Sequence, residues 1–195
     1  GVSHGTATAF HDGHRDNSLV SLPANLEGDW TIGFPLRFYK VGDEVCDLIY
    51  LRDSVNTGNH IRVTHGWGAD FSLRVVRDGV TNSTGYVGIF PYSDIADPGL
   101  NEWYIVVQRE GTTFRLRVYI TNGTEVVKSG QLELTHSDVS AIGIDEIFLA
   151  RTGNNFGYQE YGQMVLLPYV ADYEEIERII RSDAPIRQHD ISTQV

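Results

Sequence analysis

Hydrophobic and polar residues alternate with a period of two along much of this chain, and that period is typical of β-strands with one buried face. The clearest case is residues 103–120, which the Glu-Gly-Thr sequence at 110–112 divides into two runs. The pattern predicts a β-hairpin with one buried side and one solvated side. The residues expected to face inward are Trp103, Ile105, Val107, Phe114, Leu116, Val118 and Ile120.

Further strands are predicted on both sides of this hairpin, and turn sequences recur about every eight to twelve residues, as in antiparallel sandwiches. We therefore expect an all-β fold, a two-sheet antiparallel jelly-roll sandwich with one short C-terminal helix. Pro35 cannot donate a ladder hydrogen bond, so its strand is expected at a sheet edge or with a bulge. The remaining strands are predicted over 7–10, 18–23, 29–38, 45–51, 61–65, 71–76, 86–90, 125–129, 131–134, 141–149 and 163–169.

The C-terminal part contains the one persuasive helix signal. Asp172 and Glu175 form a capping-box pattern, and isoleucines follow at helical spacing until the Ala-Pro sequence at 184–185. We predict a single sandwich domain over residues 1–182 and a polar tail or linker over 183–195.

Charge and composition exclude several functions. The chain has 195 residues, a hydrophobic content of 41% and a formal net charge of −11. This acidity argues against nucleic-acid binding and against docking on anionic lipid, and no run is apolar and long enough for membrane insertion. Cys46 is the only cysteine, so an internal disulfide and a cysteine-based zinc site are both excluded.

Three motifs resemble the concanavalin A-like lectin/glucanase superfamily, in its laminin-G-like and pentraxin-like branch. Residues 10–16 and 19–23 are similar to its opening Phe-Asp-Gly stretch and first strand, although His11 is inserted. Residues 28–34 are similar to its Gly-Asp-Phe-Thr-Ile-Ser-Phe strand, and residues 101–111 to its Trp-containing hairpin. The closing segment departs from the pattern at Met164-Val165, where many members have Asp-Glu. Laminin-G-like modules of phage tails and virion surfaces are also similar, so the resemblance implies an extracellular or virion-surface location.

Enzymatic chemistry is disfavoured by the sequence. The glucanase reaction needs two carboxylates facing one cleft, but the adjacent Asp145 and Glu146 should point to opposite faces of a strand. A polysaccharide lyase would need clustered Arg, Gln, His and Tyr side chains, and the family's characteristic lyase strings are absent. Residues of the required types are Arg62, His60, Tyr119, Arg117 and Gln108.

Oxygen ligands in a glycine-containing loop make Ca²⁺ the one candidate cofactor. Asp12 and Asp16 would be its ligands, and the favoured alternative is a plain Asx-rich turn.

Glycan binding needs an exposed aromatic platform beside amide or carboxylate groups. Two loops meet this requirement. Trp67, between two glycines, is the most interesting residue. Its ring is expected either to bind glycan or to cover a sheet edge, and the sequence favours neither interpretation over the other. The outward face of the hairpin, with Tyr104, Gln108, Arg115, Arg117 and Tyr119, is a less favoured surface. The first loop set is Asn56, Asn59, His65, Trp67 and Asp70; the second is Asn154, Asn155, Phe156, Tyr158 and Tyr161.

We therefore expect a non-catalytic carbohydrate-binding or adhesion module of a virion or cell-surface protein, with a glycan as its partner. The alternative is a structural module that packs against neighbouring subunits of a surface assembly, and a polysaccharide-cleaving enzyme is the second alternative.

Overall fold

The computed structural model describes residues 9–11, 18–38, 45–66, 70–91, 102–122, 125–137, 142–149, 159–162 and 164–182. In these residues strands predominate, and they form two antiparallel sheets with one short helix. The predicted all-β sandwich is confirmed. The division between a domain at 1–182 and a tail at 183–195 stays a prediction, because 183–195 lie outside the described residues.

The first sheet has the order β1-β13-β3-β9-β10-β11, and β14 also pairs with β3. Its strands are β1 (Ala9–His11), β3 (Trp30–Phe38), β9 (Glu102–Glu110), β10 (Thr113–Thr121), β11 (Val126–Thr135), β13 (Gln159–Tyr161) and β14 (Val165–Leu167).

The second sheet has the order β2-β12-β4-β5-β6-β7, and β8 also pairs with β6. Its strands are β2 (Ser18–Leu26), β4 (Cys46–Arg52), β5 (His60–His65), β6 (Asp70–Arg77), β7 (Val80–Ser83), β8 (Val87–Gly88) and β12 (Ile144–Leu149).

The hydrophobic core lies between the sheets and contains the inward residues of both. Trp30 and Trp103 are 1% and 2% exposed, as expected from their positions in the alternating pattern. The predicted hairpin is β9–β10, with Glu110 opposite Thr113 across the turn.

The helix, α1 (Tyr173–Ser182), covers part of the outer face of the first sheet. The backbone N–H of Glu175 donates to Oδ1 of Asp172 at 2.7 Å, which confirms the predicted N-terminal cap. Ile176, on the inner side of α1, is 2% exposed. It packs in a second apolar cluster with Tyr104, Val106, Tyr119, Val165, Leu167 and Ala171.

The packing of α1 on the first sheet changes the prediction for the outward face of the β9–β10 hairpin. Tyr104, Gln108 and Tyr119 are buried, because α1 and the segment before it pack on them. Nε2 of Gln108 donates to the Ala171 carbonyl at 2.8 Å and to the Thr31 hydroxyl at 3.1 Å. The expectation of a solvated face is therefore wrong for this part of the hairpin.

Pro35 occupies a central strand, so of the two predicted options the edge strand is wrong, whereas an irregularity does lie opposite Pro35, in the neighbouring strands. In an antiparallel strand the N–H and C=O of one residue point to the same side. On the Pro35 side the neighbouring chain is interrupted, because β13 ends at Tyr161 and β14 begins at Val165. The Gly162 N–H donates to the Pro35 carbonyl at 2.9 Å. A missing proline N–H therefore coincides with a break in the partner strand.

Residues predicted as two strands at 125–129 and 131–134 form the single strand β11. Gly130 continues the ladder because it pairs with Val118.

Candidate functional site

The structure separates the first predicted glycan-binding set along β5. Asn56 and Asn59 belong to the loop before this strand, whereas His65 is its last residue and Asp70 begins β6. A strand of this length spans roughly 17 Å from His60 to His65 at ~3.3 Å per residue. These residues do not form one compact site.

Asn59 has a structural role in its loop. It is 4% exposed, and its Oδ1 accepts a hydrogen bond from the Asp78 N–H at 2.7 Å. Asp78 and Gly79 form the tight turn between β6 and β7, with φ of 46° and 81°. Asn56 is exposed, and its Nδ2 donates to Oδ1 of Asp78 at 3.3 Å. Both amides therefore stabilise this end of the sheet.

His65 and Tyr161 belong to the protein interior. The His65 ring is 3% exposed and lies 5.2 Å from the Phe71 ring and 5.8 Å from the Trp103 ring. Tyr161 is 0% exposed, and its hydroxyl donates to the Leu48 carbonyl at 3.1 Å. Neither side chain presents a surface to a glycan, because each is enclosed by the core.

Asp70 is partly exposed, and among the described members of the first set it is the one that stays available at its end of β5. Several predicted residues lie outside the described residues, so their roles stay predictions. These are Trp67, Asn154, Asn155, Phe156 and Tyr158 for glycan, and Asp12 and Asp16 for Ca²⁺. The described parts of the chain hold no cluster of three or more His, Cys, Asp or Glu side chains suited to a metal ion.

The residues considered for lyase chemistry are divided between the sheets. His60 and Arg62 lie on β5 of the second sheet, whereas Gln108, Arg117 and Tyr119 lie on the first sheet. A sandwich core separates the two groups, so they do not line one cleft.

The two adjacent carboxylates on β12 are already hydrogen-bonded. Asp145 accepts hydrogen bonds from the Ser54 hydroxyl at 2.5 Å and from the Ser54 N–H at 2.7 Å, and the hydroxyl bond is the main cause that lowers the Asp145 pKa. Glu146 accepts from Nε of Arg52 at 2.7 Å. Their partners place them in ordinary structural roles.

No described helix covers the outer face of the second sheet, in contrast to the first sheet. One row of outward side chains crosses six of its strands, from β2 to β7. We call this set the cross-strand row, and its members are Leu19, Phe148, Tyr50, Arg62, Arg74 and Ser83.

Aromatic rings gather at one part of the cross-strand row. Tyr50 stacks on His60 with ring centroids 4.9 Å apart, and Phe148 meets Tyr50 edge-on at 6.0 Å. The Arg52 guanidinium lies 4.6 Å from the centroid of the Phe148 ring, a cation–π arrangement. Tyr50 is 7% exposed, so the accessible ring surface belongs to its partly exposed neighbours, His60 and Phe148.

Arginines occupy the centre of the same face. Arg62 and Arg74 lie directly opposite each other on β5 and β6. Nε of Arg62 donates to Oδ1 of Asp47, which also accepts from the Thr64 hydroxyl at 3.2 Å. Arg74 is exposed, and no described residue pairs with its guanidinium. The face therefore offers charged donors beside aromatic rings.

A further aromatic ring stands at the far end of β5. Tyr86 is 53% exposed, and its ring lies directly on Gly66. A Cβ on Gly66 would come within 2.6 Å of Cδ1 of Tyr86, so the ring needs a glycine beneath it. Gly66 follows His65 in the alternation, which places it on the outer face. We call this pair the Tyr86–Gly66 shelf.

Comparison with solved structures identifies similar folds. The botulinum neurotoxin serotype C1 binding domain aligns with a TM-score of 0.62 at 12% identity, over 91% of this chain and 47% of that one. The Ruminococcus gnavus IT-sialidase CBM40, bound to α2,3-sialyllactose, aligns with a TM-score of 0.53 at 10% identity, over 88% and 97%. The CBM2 module of the evolved Dit protein of Lactobacillus casei BL23 phage J-1 aligns with a TM-score of 0.54 at 12% identity, over 80% and 70%.

The chain shares a β-sandwich fold with these structures. At these identities the likeness shows the fold alone, and the chain spans about half the length of the toxin binding domains. No family model and no curated protein sequence matches the chain. Across the described residues, no helix has the length and hydropathy of a membrane span.

Sequence reasoning missed the outer face of the second sheet as a candidate site. The alternation did contain a signal for this face. Tyr50 and Arg52 are two residues apart on β4, and His60 and Arg62 are two residues apart on β5, so each pair lies on one face of its strand. The two pairs form one face only because β4 and β5 pair across the 53–59 loop, and the alternation alone does not predict that pairing.

Proposed function

We propose that this chain is a non-catalytic carbohydrate-binding module displayed on a virion or cell surface, and that it binds glycan on the outer face of the second sheet. One observation carries the proposal: aromatic rings and charged hydrogen-bond donors share this face, and no described helix covers it. Apolar faces of sugar rings pack on aromatic rings, while polar side chains bind the hydroxyl groups.

The similar structures support this proposal. They include a CBM40 with bound sialyllactose, a phage CBM2 module and a toxin binding domain. The phage and toxin examples favour a surface location. The absence of catalysis is supported by the separation of the candidate lyase residues between two sheets, and by the hydrogen bonds that hold Asp145 and Glu146.

The proposed binding face runs from the Tyr50–His60–Phe148 rings to the Tyr86–Gly66 shelf. Along β5, His60 to Gly66 spans roughly 20 Å at ~3.3 Å per residue, which suits an oligosaccharide better than a single sugar. Asp70 begins β6 and stays in the proposal as a residue at the shelf end; Trp67, which follows Gly66 in the sequence, stays in it as a predicted binding residue. Asn155 and Tyr158 remain a second proposed locus.

A glycan array followed by calorimetry of the best-bound glycans tests the proposal. We expect Tyr86→Ala and Trp67→Ala to weaken binding, whereas Tyr169→Ala should bind as the wild type does. Tyr169 is a matched control because it is 44% exposed and hydrogen-bonds to Glu175 of α1, on the other sheet's side.

Absence of binding to every glycan on the array would contradict the proposal. Sedimentation of the same variants then tests the packing alternative. If Tyr86→Ala changes the assembly state while no glycan binds, the outer face is a subunit interface instead.

A further inference from the structure

The charge arrangement within the cross-strand row indicates which sugars the outer face selects. Arg62 and Arg74 are direct cross-strand neighbours. Like charges in this position repel, so such a pair needs nearby negative charge. The described residues of the face supply only part of that charge.

Two of the three arginines on the outward rows have a carboxylate partner. Arg52 binds Glu146, and Arg62 binds Asp47. Asp47 is nearly enclosed, with 5% of its side chain exposed. Its carboxylate is therefore held against Arg62 and does not reach Arg74. Arg74 adds a positive charge that no described carboxylate matches, in a chain whose net charge is −11. The positive charge that lacks a described carboxylate partner on this face is therefore at Arg74.

We infer that the outer face of the second sheet binds a carboxylated oligosaccharide, with the sugar carboxylate on Arg74 and Arg62 and a sugar ring against the neighbouring aromatic rings. This inference rests on the proposed function and names the ligand class for that site.

Guanidinium geometry supports a carboxylate ligand. A guanidinium has five N–H donors in a planar fork that matches the two oxygens of a carboxylate. The Nε of Arg62 is engaged by Asp47, which orients the guanidinium and leaves terminal N–H groups for a second anion. Arg74 lies beside it and is exposed.

The neighbours of the two arginines favour a sugar over a small inorganic anion. Tyr50 is the next member of the cross-strand row beyond Arg62, and Phe148 follows it. On the other side Ser83 lies opposite Arg74, and its hydroxyl is 3.4 Å from that of Ser72. Because Tyr50 itself is nearly buried, an anion that also carries an apolar ring face and hydroxyl groups would contact Phe148 and Ser83 besides the two arginines.

Calorimetry with matched ligands tests the inference. The probes are α2,3-sialyllactose and an oligogalacturonate, each compared with its own methyl ester, in which a neutral ester group replaces the charged carboxylate. We expect the wild type to bind at least one acid about tenfold more tightly than its ester, a factor equal to ~1.4 kcal/mol. Arg74→Gln should abolish this preference and leave ester binding within about twofold of the wild type.

Arg178→Gln is the control, because Arg178 is an exposed arginine of α1, on the side of the first sheet. It removes the same charge and should keep the preference for the acid. Arg74 is exposed and its charge is repelled by Arg62, so its substitution should not lower the thermal unfolding midpoint.

Equal affinity for acid and ester, or failure to bind either acid, would overturn the inference. A preference that survives in Arg74→Gln, or one that Arg178→Gln also removes, would overturn it as well. In each case the glycan array decides the proposed function separately, because continued binding of uncharged glycans supports a carbohydrate-binding module without carboxylate selectivity.

Discussion

At the scale of single residues, the position of an exposed aromatic ring depends on a glycine. The Tyr86 ring occupies the space that any side chain at Gly66 would need. Because Tyr86 is itself exposed, its ring can move aside at small cost to folding. Ring position and protein stability can therefore be changed separately here.

We predict that Gly66→Ala weakens glycan binding almost as much as Tyr86→Ala, roughly fivefold, or about 1 kcal/mol of binding free energy. Tyr86→Phe should retain most of the affinity, because the ring stays in place. Calorimetry gives the affinities, and urea unfolding should show a stability loss below about 1 kcal/mol for Gly66→Ala. Full affinity in Gly66→Ala would show that the ring position does not matter.

A second residue-scale prediction concerns acid stability. Ser54 hydrogen bonds lower the pKa of Asp145, so the folded state favours the ionised carboxylate. The stabilisation is present at neutral pH and is lost as pH falls through the lowered pKa. Ser54→Ala should therefore destabilise the protein at pH 7, by roughly 0.5 kcal/mol after allowance for solvent screening, and have little effect at pH 2.

Urea unfolding at both pH values measures this difference, with Ser129→Ala as a control at an exposed serine of β11. An equal loss for Ser54→Ala at both pH values would mean that the hydroxyl acts without the Asp145 charge.

At the scale of elements, α1 determines which face of the first sheet meets water. Asp172 and Ile176 stabilise the helix in different ways. The Asp172 cap accepts a hydrogen bond from a backbone N–H of the first turn, whereas the buried Ile176 side chain packs against apolar residues of β9 and β14. The helix is short, so packing contributes more to its stability than intrinsic propensity does.

We expect Asp172→Ala to lower the free energy of unfolding by about 1 kcal/mol, through loss of the cap. Ile176→Ala should cost about 2–4 kcal/mol, because it leaves a cavity against the sheet. Chemical denaturation measures both, and neither variant should alter the ratio of acid to ester binding. A changed ratio would connect α1 to the glycan face.

The strands themselves were largely predictable from the alternation, and so was the helix start. The alternation predicted inward positions for Trp103 and Phe114 because a two-residue period is a local property. The alternation predicted exposed positions for Tyr104 and Tyr119, but α1 covers both. The pattern within a strand does not show whether a distant segment of the chain will cover its outer face. Pro35 misled for a similar reason, because its missing donor is accommodated by a break in a strand from the other end of the chain.

At the scale of the whole molecule, the two outer faces differ in kind. The first sheet carries α1 and an apolar cluster, whereas the second carries rings and arginines. Of the predicted glycan residues that the structure describes, Asn59, His65 and Tyr161 are buried. Their residue types suited glycan binding, but burial is set by strand pairing and sheet packing, which the local sequence does not specify.

This asymmetry predicts a one-sided response to ligand. In a heteronuclear NMR titration with a bound glycan, the backbone amides of His60, Arg62 and Arg74 should shift. The amides of Ile176 and Val106 should not, because they lie on the other side of the core. Shifts that cluster on α1 would place the glycan on the wrong face.

The pairing of strands from distant parts of the chain has a consequence for synthesis. β1 pairs with β13 and β2 pairs with β12, so Ala9 cannot pair until Tyr161 has been synthesised, and Val20 cannot pair until Ile147 has been synthesised. A ribosome must therefore synthesise the chain as far as β12 and β13 before the two sheets gain these partners, and closing such long loops slows folding. Until then the unpaired sides of β3 and β4 are open to other chains, and this interval is where aggregation competes with the native sandwich.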